Sequence, residues 1–181
     1  HATSVGGMGS TNLVTGIIGK AHTYDGSNDG DSIPYNAGLN TANAVTLTAW
    51  VNVTAFQDHS RIIARGTLNN SDPWNIYALN TNVSSPQFRG EQSTGVSGSQ
   101  AVVYGVNNAA TGTWYYVAFT YDQSTSSMKL FRNGEQDGTT VSESDAMSTS
   151  LTTPLMIGKS GYASNPFSGV IDEATVSNVA R

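Results

Sequence analysis

The strongest constraint on this chain is a hydrophobic period of two. Over Val45–Val53, the residues Val45, Leu47, Ala49, Val51 and Val53 fall on one side of an extended backbone, and Thr46, Thr48, Trp50 and Asn52 on the other. Successive side chains of a strand point to opposite faces, so the run predicts a strand with one apolar face. Thr113–Asp122 repeats the pattern, with Tyr115, Val117, Phe119 and Tyr121 opposite Trp114, Tyr116, Ala118 and Thr120.

Shorter runs of the same kind lie at Ala21–Tyr24, Arg61–Arg65, Asn75–Leu79, Gln87–Arg89, Ala101–Val106, Met128–Arg132, Pro154–Gly158 and Phe167–Val176. Gly, Ser, Asn, Asp and Pro separate them, as turn chemistry requires. Asn133-Gly134 is a two-residue hairpin signal, because both residues tolerate positive φ. His1–Gly19 reads as a Gly/Ser/Thr-rich lead-in to the first of these strands. No window carries a helical period with good helix formers. The fold class that follows is all-β: a two-sheet antiparallel β-sandwich or jelly roll, with residues 1–181 as one domain.

Apolar residues are 38% of the chain, enough for a core, and charged residues only 12%. A net charge of −5 argues against a phosphate-backbone partner, so no nucleic acid is expected. No segment reaches transmembrane length, so no membrane insertion is expected. The absence of cysteine excludes disulfides and leaves calcium as a possible staple. The expectation is a monomeric domain of a larger protein, extracellular or at the cell surface.

Two acidic features suggest that calcium. Tyr24–Ile33 packs Asp25, Asp29 and Asp31 into one turn with Ser27 and Asn28, and those carboxylates repel unless a cation or backbone N–H groups neutralise them. Far away, Asp172 alternates in step with Val170, Ala174 and Val176, which predicts a carboxylate on an apolar face. Such a group must be paired, hydrogen-bonded or metal-bound. The expectation is that the two segments meet around a structural calcium held by Asp25, Asn28, Asp29 and Asp172. The alternative is a turn whose Asp side chains cap their own backbone. Asp25, Ser27, Asp29 and Gly30 also echo the start of an EF-hand loop, but Asn36 stands where its bidentate Glu belongs. The lack of Cys and of ligand spacing among His1, His22 and His59 argues against zinc.

An ordered set of motifs resembles a family. Gly16–Ala21 followed by Tyr24–Ser27 resembles the opening of laminin-G-like domains of the concanavalin-A-like jelly-roll superfamily. Thr46–Val51 is similar to their first core strand, and Gly112–Trp114 with Val117-Ala118 and Tyr121-Asp122 to their central one. Leu130–Gly134, Ile157-Gly158 and Phe167–Glu173 match the late motifs in order. Gly30-Asp31 departs from the pattern, where the family usually has an aromatic and an apolar residue. The resemblance implies two curved antiparallel sheets, calcium in many members, and carbohydrate or protein binding as a module of an extracellular protein.

Glycoside hydrolysis needs two carboxylates flanking the scissile bond, and no strand here carries an alternating Glu/Asp set. Asp172 and Glu173 are adjacent, and no nucleophile elbow precedes a helix. The reading is therefore a non-catalytic, lectin-like carbohydrate-binding or adhesion module that takes a glycan or polysaccharide. Alternatives are a protein-interaction or spacer domain, and a polysaccharide-active enzyme on the same fold. The ligand-binding residues expected are Trp74, Tyr77, Arg89 and Tyr162, with Arg61, Tyr104 and Asn165 as further candidates, because aromatics stack on sugars and planar polar groups fix orientation. Trp50, opposite the main apolar row, admits two readings: a side chain covered by another segment, or a sugar-stacking platform.

Overall fold

The computed structural model describes residues 2–66, 77–82, 85–94, 99–160 and 166–181. Among them run fifteen strands and three single-turn 3₁₀ helices. In chain order the strands are β1 (Thr3–Val5), β2 (Leu13–Thr15), β3 (Lys20–Asp25), β4 (Gly30–Ile33), β5 (Ala44–Ala55), β6 (Arg61–Arg65), β7 (Tyr77–Asn82) and β8 (Gln87–Ser93). They continue as β9 (Gln100–Tyr104), β10 (Trp114–Asp122), β11 (Ser127–Arg132), β12 (Glu135–Gln136), β13 (Val141–Ser142), β14 (Leu155–Ile157) and β15 (Ser168–Ser177).

One sheet has seven strands in the order β1-β4-β14-β6-β7-β8-β9; the other has eight, β12-β11-β10-β5-β15-β3-β2 with β13 beside β11. Every pairing is antiparallel, and no helix among the described residues is long and apolar enough to cross a membrane. The lead-in foreseen at the N-terminus supplies two strands instead, β1 beside β4 and β2 beside β3. Three-residue strands are too short to show a period, so only their pairing reveals them.

β5 and β10 pair along their full length, from Trp114↔Asn52 to Asp122↔Ala44. That register puts Val45, Leu47, Ala49, Val51 and Val53 on the same face as Val117, Phe119 and Tyr121, all fully buried. Opposite them, Ile62, Ile63, Tyr77, Leu79, Phe88 and Val103 of the seven-stranded sheet complete the core. Burying each large apolar side chain contributes about 1.5–3 kcal/mol, so this interlayer dominates the stability. The two sheets approach closely at Gly90, where a Cβ would overlap the Phe119 ring. Asn133 and Gly134 turn β11 into β12 with φ of 54° and 88°, the positive pair that the dipeptide predicts.

Candidate functional site

The carboxylates of the acidic turn accept hydrogen bonds from within the protein. Asp25 is exposed, and its Oδ1 accepts the N–H groups of Ser27 and Asn28 at 2.8 and 3.3 Å. The first of these bonds holds its carboxyl below the usual range. Asp29 is buried, and its Oδ2 accepts from the Asn12 amide and the Asp25 N–H, each at 3.2 Å. Asn28 is exposed, and its carbonyl accepts from the Lys159 ammonium at 3.1 Å. Asp31 has turned inward: Ser4 Oγ donates to Oδ1 at 2.7 Å, while His22 Nδ1 and Tyr24 OH reach Oδ2 at 2.7 and 2.8 Å.

Burial works to raise the Asp31 pKa, but the bonds from Ser4, His22 and Tyr24 outweigh it, and the net shift is downward. A carboxyl depressed on folding stabilises the protein above its unfolded pKa of about 3.9, and that contribution is lost as pH falls through the lower folded value. Asp31→Asn is expected to lower Tm at pH 7 and to flatten the acid limb of the stability–pH curve. An unchanged acid limb in thermal melts would remove Asp31 from that role.

Asp172 lies elsewhere. β15 does pair with β3, so the two segments meet as expected, but Asp25 is opposite Ser168 and Asp172 lies four residues further along. At about 3.3 Å per residue that is ~13 Å, too far for one ion to join the carboxylates. Asp172 also faces away from the core, contrary to the alternation read from sequence. Between Asp172↔Trp50 and Thr175↔Thr48, β15 spends one residue more than β5, and Glu173 takes φ of 47°. This bulge shifts the alternation by one, so Ala174 and Val176 pack on the core while Asp172 stands beside Trp50 on the outer face. There Asp172 Oδ2 accepts the Ile18 N–H at 2.9 Å and clamps the Gly16–Gly19 turn. A Cβ at Gly16 would overlap this carboxylate, which accounts for that glycine. Asp172 therefore stands apart from Asp25, Asn28 and Asp29, whose oxygens already accept hydrogen bonds within the protein. Among the described residues no group of three His, Cys, Asp or Glu side chains is placed to hold a metal.

Of the expected ligand-binding residues, Trp74 and Tyr162, with Asn165, lie outside the described residues. Tyr77 is fully buried in the core and donates its hydroxyl to the Leu39 carbonyl at 3.1 Å, so it is structural. Arg89 is on the outer face of the seven-stranded sheet, 5% exposed and paired with Glu91 rather than displayed on a loop.

The open concavity lies on the outer face of the other sheet. It is a groove of about 850 Å³ across β11, β10, β5 and β15. Thr46, Thr48, Ala118, Thr120 and Thr175 make its floor, which is low because these side chains are small. Trp50 and Tyr116, cross-strand neighbours with ring centroids 5.3 Å apart, form an aromatic wall. Phe131 and Ile18 add apolar sides, and Glu173 and Arg181 the charges. Glu173 is the one acidic residue lining the groove among those described. The half-buried Trp50 is thus exposed to this groove. Groups of this kind provide an apolar ring face beside hydroxyls that both donate and accept hydrogen bonds.

A laminin G family model, described as the concanavalin A-like lectin/glucanases superfamily, matches residues 25–181. The chain belongs to this superfamily. Among solved structures, this lectin/glucanase-type domain is similar to domain 4 of AbnA, a GH43 extracellular arabinanase from Geobacillus stearothermophilus, in complex with arabinotriose. The TM-score is 0.72 and the identity 21%, covering 99% of this chain and 82% of that one. It is also similar to the CBM40 of Ruminococcus gnavus IT-sialidase bound to α2,3-sialyllactose, with a TM-score of 0.67 and 15% identity over 89% of this chain and 92% of that one. The binding domain of Paraclostridial Mosquitocidal Protein 1 superposes with a TM-score of 0.71 at 12% identity, over 93% of this chain and 42% of that one. At these identities the likeness is one of fold. No curated protein sequence matches the superfamily domain described here.

Proposed function

We propose that this domain is a non-catalytic glycan-binding module of an extracellular or cell-surface protein, and that the groove beside Trp50 and Tyr116 receives the sugar. The observation that carries the reading is the juxtaposition, in one open groove, of an aromatic pair with a floor of threonine hydroxyls. Ring stacking supplies apolar contact, and Thr48, Thr120 and Thr175 supply hydroxyls suited to hydrogen bonds with neutral sugars, whereas the Thr46 hydroxyl is committed to the Val179 carbonyl and the Arg181 N–H. Among the described residues a single acidic side chain, Glu173, lines the groove, whereas glycosidic cleavage needs an acid and a second carboxylate. The arabinanase domain, in complex with arabinotriose, and the CBM40, bound to α2,3-sialyllactose, support a saccharide as the partner.

The test is retention on immobilised neutral polysaccharides, beginning with arabinan and followed by a glycan array. Trp50→Ala is expected to weaken binding at least tenfold and Trp50→Phe much less. Undiminished binding by a folded Trp50→Ala protein would move the site off this groove. This reading uses no calcium, since the acidic-turn carboxylates already accept N–H donors. A chelator is therefore expected to leave both retention and Tm unchanged, because only a ligand bound to the native state shifts Tm by mass action. A drop in Tm on chelation would show that an ion does bind.

A further inference from the structure

The groove on the eight-stranded sheet is not uniform along its length. One end joins the half-buried rings of Trp50 and Tyr116 to Glu173 of β15. Asp172 pairs with Trp50, so the bulge that follows it sets Glu173 at that end. The other charge, Arg181, is anchored at the opposite end, where its N–H donates to Thr46 Oγ1 at 3.1 Å. Thr46 and Trp50 are four residues apart on β5, which at about 3.3 Å per residue is ~13 Å. The groove therefore has an acidic, aromatic end and a basic one.

Glu173 is held at the aromatic end against the local preference of its backbone. Of the four non-glycine residues with positive φ among those described, it alone lies within a strand; His59, Ser126 and Asn133 are in turns and loops. A residue with a Cβ is strained at φ of 47°, and such strain persists only where the surroundings impose it. Bulges of this kind re-aim a side chain. The re-aimed carboxylate is exposed and engages in no hydrogen bond or ion pair among the described residues. Asp172 beneath it is different: Oδ2 accepts the Ile18 N–H and Oδ1 the Glu173 N–H, both at 2.9 Å, so only Glu173 is left for a ligand. An unengaged carboxylate beside two ring faces is complementary to a cation, which the rings attract through their quadrupoles and the carboxylate through its charge.

We propose that the Trp50 end of the groove selects an amino sugar, whose protonated amine lies against the Trp50 and Tyr116 rings and bonds the Glu173 carboxylate. The proposal rests on the reading of this groove as the sugar site. Thr48, Thr120 and Thr175 meet the neutral hydroxyls of the same saccharide. A wholly neutral saccharide takes the groove more weakly, because it lacks the charge-assisted bond. A lysine side chain offers the same ammonium but leaves the threonine floor without hydroxyl partners.

The experiment is calorimetric titration at mildly acidic pH, where a free sugar amine carries its proton, with a glucosamine trisaccharide and with its fully N-acetylated form. The free amine is expected to bind about tenfold tighter, and the difference to shrink as salt is raised. Glu173→Gln is expected to erase most of that preference. Glu173→Gly, which suits the positive φ, should do the same even if glutamine disturbs the bulge. A net charge of −5 attracts any cation weakly, so Asp145→Asn, which removes the same charge from an exposed residue outside the groove, is the control and should keep the preference. Equal affinity for the two forms, or none for either, overturns the proposal, as does a preference that survives both Glu173 variants or that Asp145→Asn loses equally. Where the preference fails but Trp50→Ala still weakens binding of the acetylated form, the groove stands as the sugar site and only its selectivity is refuted. Binding that neither Trp50→Ala nor Glu173→Gln alters overturns both.

Discussion

Glu91→Ala is expected to cost about 3–5 kcal/mol, a large part of the roughly 5–15 kcal/mol that holds a domain of this size folded. Glu91 is fully buried and accepts bonds from Arg61, Arg89 and Gln100 at once. Removing it leaves two guanidinium groups buried side by side. Their situation is already unfavourable: burial lowers the Arg61 pKa to about 10, and burial followed by the Arg61 charge lowers that of Arg89 to about 10. Both stay protonated at neutral pH, so their repulsion falls on the fold. Glu91→Gln keeps the shape and a carbonyl acceptor but loses the charge, and should fall between alanine and the parent. Urea unfolding reads the difference as a lower midpoint at unchanged slope. A Glu91→Ala protein within 1 kcal/mol of the parent, an order-of-magnitude threshold for a surface-like substitution, would show that the pair is worth little.

The second large effect is one residue away and on the other face. Gly90→Val is expected to prevent closure of the sandwich or to lower its Tm severely, because the first added carbon would overlap the ring of fully buried Phe119. Overpacking typically costs about 1–3 kcal/mol, and more where the opposing group is a rigid ring between two sheets. Relief should come from the partner: Phe119→Ala in the Gly90→Val background vacates the colliding volume. The double variant is therefore expected to be more stable than the sum of the two single losses, a coupling that a double-mutant cycle measures directly. Strict additivity would mean that the two residues do not touch.

Together these substitutions show how β8 divides its labour. Phe88 and Gly90 serve the core, while Arg89 and Glu91 build the charged row on the outside. The Asp31 cluster, by contrast, ties β1 to β3 and β4 through Ser4, His22 and Tyr24, and its contribution fades only in acid.

Alternation along the chain was sufficient to establish the all-β class, the full core face of β5, and the Val117-Phe119-Tyr121 face of β10. Each of these depends only on neighbours within one strand, where the side-chain period is two whatever the strand pairs with. The Asn133-Gly134 turn was legible for the same local reason. Trp50 could be placed opposite the core, but whether another segment covered it depended on the layers above it.

What the tertiary structure alone decided is which strands lie side by side and where their register slips. The bulge at Glu173 moves Asp172 to the outer face and gives its carboxylate to Ile18 N–H, reversing the alternation inferred from Val170, Ala174 and Val176. Arg61, Asn80, Arg89 and Tyr104 are spread over four strands, and only the pairing of those strands makes them a row. Register is set by closing the two sheets on a shared core, a non-local event. A period read along one segment carries no information about which residue of another strand will stand beside it.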